Sequence, residues 1–142
     1  MRDILISFIM LMAVILIIGC KKSSNPASSS DQYSNTLTLG TGMSGFTITG
    51  ETTNFSRMGG QATIYWRLES SADMAGSSVR IAIDKQGTSG FVSDTSFTFA
   101  STQSYGHIML SSFALPETGS FRATGILVTG NVTVATKNFT IQ

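Results

Sequence analysis

A single cysteine, Cys20, ends the most apolar segment of this chain, and Gly19 stands directly before it. Cys20 is the one position to which covalent chemistry can be assigned, and that chemistry is a modification of the protein. Residues 4–18 are apolar except for Ser7. A helix of that length reaches about 23 Å, short of the ~30 Å hydrocarbon core of a bilayer. The segment therefore predicts a secretory signal cleaved between Gly19 and Cys20.

The run Ile17-Ile18-Gly19-Cys20 resembles the lipobox of bacterial lipoprotein signal peptides. The resemblance implies a diacylglyceryl group on the Cys20 thiol, an acyl group on its new amine, and no other cofactor. Two or more acyl chains anchor a protein stably, because each buried CH₂ contributes ~0.8 kcal/mol. It also implies a cell-envelope location, with the outer membrane favoured in a Gram-negative cell because Lys21 follows the cysteine. An uncleaved membrane helix and an ordinary signal peptide remain the alternatives.

The other residues that could do chemistry are sparse. His107 is the only histidine, and no serine stands in a G-x-S-x-G element, so a hydrolytic triad has no sequence support. One histidine and one lipid-bound cysteine do not make a transition-metal site. Asp73, Asp84 and Asp94 fall in predicted turns and could ligate calcium weakly, but they lack the spacing of a calcium-binding loop. We therefore predict a non-enzymatic protein in which His107 is structural.

Two further patterns could indicate a ligand site but are better explained by the fold. Residues 40–45 fit G-x-G-x-x-G, but the next residues, 46–50, have the composition of a strand, whereas a dinucleotide site requires a helix there. We therefore interpret residues 40–45 as a hairpin turn, with Gly40-Thr41-Gly42 in the turn. Tyr65 and Trp66 are adjacent and point to opposite faces of a strand, which favours Trp66 in the core over a sugar-binding platform.

Three methionines, Met43, Met58 and Met74, fall in predicted loops. Exposed methionines adapt to varied partners, so these three are our candidate partner-contact residues. The alternative is partial burial of their side chains against the rim of the domain.

Composition divides the chain into a signal peptide (1–19), a lipidated cysteine with a flexible linker (20–36) and one folded domain (37–142). Six of the sixteen residues in 21–36 are serine, which is typical of a tether. The domain has six basic and six acidic residues. It therefore lacks the basic surface that nucleic-acid binding requires.

Alternation of apolar and polar residues recurs along the domain and indicates half-buried strands. Examples are the even-numbered residues of 62–68, Phe97 with Phe99, and Ile108 with Leu110 on either side of Met109. Turn residues separate these runs, and the last strand changes parity in a way that predicts a bulge. The fold class is therefore an all-β antiparallel sandwich of about seven to eight strands, near 36–39, 45–50, 61–69, 78–84, 95–100, 107–114, 120–129 and 131–141.

Residues 115–123, LPETGSFRA, followed by a hairpin that ends Phe139-Thr140-Ile141, resemble the last two strands of bacterial immunoglobulin-like domains. The run around Trp66 resembles their third strand. Phe121 stands where those domains usually have a tyrosine.

The resemblances imply an immunoglobulin-like sandwich held at the envelope by its lipid. We expect a binding or scaffolding module whose partner is an envelope protein or glycan. The alternative is a structural accessory subunit of a larger envelope complex for secretion, transport or surface display. The sequence leaves the partner and the oligomeric state open.

Overall fold

The computed structural model describes residues 32–142, which form one compact unit of ten β-strands and two 3-10 turns. Cys20, the predicted signal peptide and most of the predicted linker lie outside the described residues. The strands are β1 (Thr36–Ser44), β2 (Thr47–Glu51), β3 (Asn54–Phe55), β4 (Ala62–Glu69), β5 (Val79–Gly87), β6 (Gly90–Phe99), β7 (Ser104–Tyr105), β8 (Ile108–Leu115), β9 (Gly119–Leu127) and β10 (Val132–Ile141); the 3-10 turns are Ser101–Gln103 and Thr129–Asn131.

The strands form two five-stranded sheets that enclose one core. The first sheet has the order β2-β1-β4-β8-β7 and the second has the order β3-β10-β9-β5-β6. Neighbouring strands are antiparallel, except that β3 pairs in parallel with β10. No helix in residues 32–142 is long and apolar enough to cross a membrane. The prediction of an all-β sandwich is confirmed.

The strand order matches that of an immunoglobulin constant domain. Such domains place their first, second, fifth and fourth strands in one sheet and their third, sixth and seventh in the other. Here β1, β4, β8 and β7 form the first series, and β5, β9 and β10 the second, with β2, β3 and β6 as additions. Trp66 therefore lies on the second strand of this order, not on the third as the sequence resemblance indicated.

The core consists of the side chains that point inward from the two sheets. Trp66 is fully buried and packs edge-on against Phe99 of the opposite sheet, with ring centroids 4.9 Å apart. Its prediction as a core residue is confirmed. The strands β4 and β5 supply the most regular alternation, with buried Ala62, Ile64, Trp66 and Leu68 on β4 and buried Val79, Ile81 and Ile83 on β5.

The buried face of β8 is the opposite of the one that the sequence pattern favours. Met109 is fully buried, whereas Ile108 and Leu110 are only half-buried on the outer face. Phe113 and Leu115 enter the core further along the strand. Both lie an even number of residues after Met109 and therefore on the same face as Met109. Because a strand alternates strictly, these residues also turn Met109 inward.

The prediction of a turn at Gly40-Thr41-Gly42 is wrong, because these residues lie within β1. The turn itself is at Gly45 and Phe46. Gly40 pairs with β4 on one side and with β2 on the other. A Cβ there would lie 2.8 Å from the carbonyl oxygen of Thr49, so glycine allows the close approach of β2.

The bulge predicted in the last strand is confirmed. The pairing of β10 with β9 shifts register between Thr133 and Ala135, opposite Gly125. Gly125 is also where the sheets approach closely: a Cβ would lie 2.6 Å from a methyl carbon of Leu68, in the first sheet. Glycine in β9 thus makes room for a leucine that is fully buried.

The folded domain begins before residue 37, its predicted first residue. The backbone N–H of Ser34 donates to Glu69 at 3.0 Å. The Asn35 side-chain oxygen accepts from the N–H and hydroxyl of Ser71 at 2.8 and 3.1 Å. These residues belong to the predicted linker, residues 20–36.

We predict that Gly125→Ala lowers the free energy of unfolding by about 1–3 kcal/mol, because the new methyl group overpacks the core against Leu68. The matched control is Gly76→Ala, where a Cβ meets no atom within 4 Å and φ is not positive. Chemical denaturation of both variants measures the difference. Equal stability of the two variants would show that the sheets have room at Gly125.

The Ser34 N–H and the neighbouring Arg67 hold the pKa of the Glu69 carboxyl below its usual value of 4.5, although burial acts in the opposite direction. A depressed pKa stabilises the folded state above pH 4.5, and this contribution is lost as the pH falls through the folded pKa. We expect the Ser34 amide to lose protection from hydrogen exchange in that acid range. Glu69→Ala, which has no side-chain acceptor, should lose it already at neutral pH, and Glu51→Ala should not.

Candidate contact surface

The first sheet is incomplete along one edge. Strand β7 has two residues and pairs only with the first two residues of β8, Ile108 and Met109. The rest of β8, residues 110–115, has β4 on one side. In the part of the chain that the structure describes, no strand pairs with its other side. The backbone N–H and C=O groups that point that way are therefore available to a further strand.

The second sheet also ends on this side of the molecule, at β6. Phe97 of β6 stacks on Phe113 of β8 with ring centroids 5.2 Å apart and an interplanar angle of 15°. This stack joins two edge strands across the sandwich. We call the side of the molecule formed by β6 and residues 110–115 the open side.

A cleft of about 280 Å³ lies on the open side between the two edges. Its lining combines the half-buried Phe97 and the buried Leu115 and Phe121 with the exposed carboxylates of Asp94 and Glu117. Pockets that combine an apolar lining with a few polar groups are typical binding sites. No sequence motif marks these residues as part of a contact surface.

Some charged side chains around the cleft have a partner, and one does not. Glu117 forms an ion pair with Lys85. The guanidinium of Arg57 donates to the carbonyl oxygen of Pro116 at 2.9 Å. Asp94 is exposed and takes part in none of the ion pairs found among residues 32–142. The carboxylate of Asp94 is therefore available to a cation.

The two edges of the open side differ in how they are protected against unwanted pairing. In β6 the register shifts at Asp94, which leaves this residue unpaired in the ladder with β5. A charged bulge is a common protection of an edge strand. Residues 110–115, LSSFAL, contain no charge and no proline. The β8 edge therefore lacks these protections.

A second exposed feature lies on the outer face of the first sheet. The strands β2 and β7 are at opposite edges of that sheet, yet the ring of Phe46 in the β1–β2 turn packs edge-on against Tyr105 of β7, with centroids 4.8 Å apart. The hairpin must therefore fold across the outer face of β4 and β8. Phe46 and Tyr105 remain 53% and 65% exposed. Aromatic side chains of this kind are enriched in protein interfaces.

The three candidate methionines lie in different environments. Met58 is 84% exposed beside β4, and Met43 is 47% exposed near the tip of the β1–β2 hairpin. Met74 is fully buried, which corrects its assignment as a contact residue. Its loop folds over one end of the core, where the Met74 N–H donates to Gly106 O at 2.8 Å and Met74 O accepts from Ser77 N–H at 3.0 Å.

His107 makes structural contacts. Its Nδ1 lies 2.9 Å from Ser70 O, and the N–H of Ser70 donates to His107 O at 3.0 Å. The imidazole stacks on Tyr33 with centroids 4.6 Å apart and planes 3° from parallel. His107 thus joins the start of the sandwich to the loop after β4.

The acidic residues considered as calcium ligands are dispersed. Asp73 accepts from the Ala75 N–H at 2.8 Å, and Asp84 accepts two hydrogen bonds from Arg122 at 3.0 and 2.7 Å. Within the described residues, no three histidine, cysteine or acidic side chains come together in a group that could hold a metal.

Comparison with models of protein families, with curated proteins and with solved structures finds no match to this chain.

We predict that Phe46→Ala and Tyr105→Ala are coupled by about 0.5–1.5 kcal/mol in a double-mutant cycle of unfolding free energy, as expected for an edge-on aromatic pair. The control cycle combines Phe46→Ala with Met58→Ala, which should be additive. Additivity in both cycles would contradict the contact that holds the hairpin across the sheet.

Proposed function

We propose that this protein is a non-enzymatic, lipid-anchored binding module of the bacterial cell envelope. The lipobox resemblance at Cys20 supports the anchor, and the lack of a sequence motif for catalysis supports a binding role. The observation that carries the binding role is the open side. It combines an uncharged strand edge, a cleft lined by apolar and polar side chains, and an exposed carboxylate.

The physical reason is the cost of leaving such an edge uncovered. An unprotected edge strand promotes edge-to-edge aggregation, and natural proteins usually protect it with charge, proline or a bulge. Here β6 has a charged bulge, whereas residues 110–115 have no such feature. A binding role accounts for the difference, because a protected edge could not accept a partner strand.

The proposed linker suits an anchored module. A serine-rich linker has a mean reach of about 5–6 Å times the square root of its length, so residues 21–32 would reach roughly 20 Å from the membrane. That distance lets the domain orient its open side toward a neighbouring envelope protein.

The alternative is a structural accessory subunit of a larger envelope complex. The same open side supports it, because a permanently covered edge needs no protection once the complex is assembled. Native-size fractionation of solubilised membranes separates the two. A subunit is expected to migrate entirely with a large complex, and a binding module is expected to divide between free and bound forms.

We predict that metabolic labelling with an alkyne fatty acid marks the protein in its native host and that Cys20→Ser abolishes the label. In the same cells, a benzophenone side chain placed at Thr95, on the rim of the cleft, should give discrete crosslinked products. Thr136, which is exposed on β10, is the matched control position. An unlabelled wild-type protein would contradict the anchor, and identical products from both positions would contradict the contact surface.

A further inference from the structure

We infer that the open side accepts an extended segment of a partner protein, which pairs with residues 110–115 of β8 and adds a strand to the first sheet. The inference rests on the proposed binding role and specifies its chemistry. Its occupant is a β-strand that has small apolar side chains toward the cleft and a lysine or arginine near Asp94.

The backbone supplies the first argument. In β7, Ser104 and Tyr105 already pair antiparallel with Met109 and Ile108. An added strand would continue the line of β7 along the rest of β8. About half of the N–H and C=O groups of residues 110–115 point toward that line, because alternate residues of an edge strand bond to opposite sides. Strand addition at an exposed edge is an established way in which proteins bind extended peptides.

The shape of the cleft supplies the second argument. Side chains of an added strand alternate between the two faces of the sheet, so every second one would face the second sheet. On that side lie Phe97, Leu115 and Phe121, with space of about 280 Å³ among them. The space suits small or medium apolar side chains such as alanine and valine. It would not take several large aromatic rings.

Charge supplies the third argument and selects the partner. Asp94 is exposed at the rim of the cleft, and it is the only charged residue in β6. A basic side chain on the added strand would meet this carboxylate. A second copy of the chain would present its own LSSFAL edge, which contains no basic residue. The occupant is therefore a basic strand from a different protein.

The test uses four six-residue peptides and the full chain in detergent micelles, with binding followed by NMR shifts of the amides in residues 110–115. The first peptide is acetyl-VTKTVT-amide, in which the valines and the lysine share one face of the strand, and the second has glutamate in place of lysine. The third and fourth are forms of the first that are N-methylated on one or the other set of alternate residues. A peptide this short should bind with a Kd on the order of 1 mM.

Strand addition predicts that one N-methylated form binds about tenfold more weakly or worse, because only one set of N–H groups bonds to β8. The other form should keep most of its affinity. The lysine peptide should bind about threefold more tightly than the glutamate peptide. Asp94→Asn should remove this preference, and the matched variant Glu51→Gln, on β2, should retain it.

Three results would overturn the inference. They are no shift in residues 110–115 with any peptide, equal affinity of the two N-methylated forms, and concentration-dependent dimerisation through these amides. The last result would make a second copy the occupant. The in-cell labelling and crosslinking do not use these peptides. The proposal of an anchored binding module can therefore hold when strand addition at residues 110–115 is disproved, and strand addition can hold when the anchor is disproved.

Discussion

Aromatic packing between the two sheets is the interaction on which this sandwich depends. Cys20 is the only cysteine and precedes the domain, so no disulfide joins the sheets. Phe113 of the first sheet instead contacts Phe139 and Phe97 of the second, at centroid distances of 6.4 and 5.2 Å. Trp66 and Phe99 form another such contact. Pairs of this kind contribute about 0.5–1.5 kcal/mol each beyond the area that they bury.

The same packing explains how one side of the domain can remain open. A short β7 leaves most of β8 without a neighbour, and a sandwich with an uncovered gap would expose its core to water. The stack of Phe97 on Phe113 closes the gap at the level of side chains. The backbone edge of residues 110–115 stays uncovered in the part of the chain that the structure describes. Stability and an accessible strand edge are therefore compatible here.

The sequence predicts those features that depend on neighbouring residues in the chain. The strand around Trp66 and the bulge in β10 follow from local alternation, and both are confirmed. The sequence does not predict features set by distant contacts. Met74 is buried because its loop folds over the core, and Phe46 meets Tyr105 only because the hairpin crosses the sheet. The open side depends on the length of β7, which no motif encodes.

We expect a partner to cover the edge at residues 110–115 in the cell. The most direct measurement is amide hydrogen exchange of this segment in native membranes, compared with the purified full chain. A covering partner should slow exchange in membranes at residues 110–115 and leave the fully paired strand β9 unchanged. Equal exchange at residues 110–115 in the two preparations would contradict this expectation.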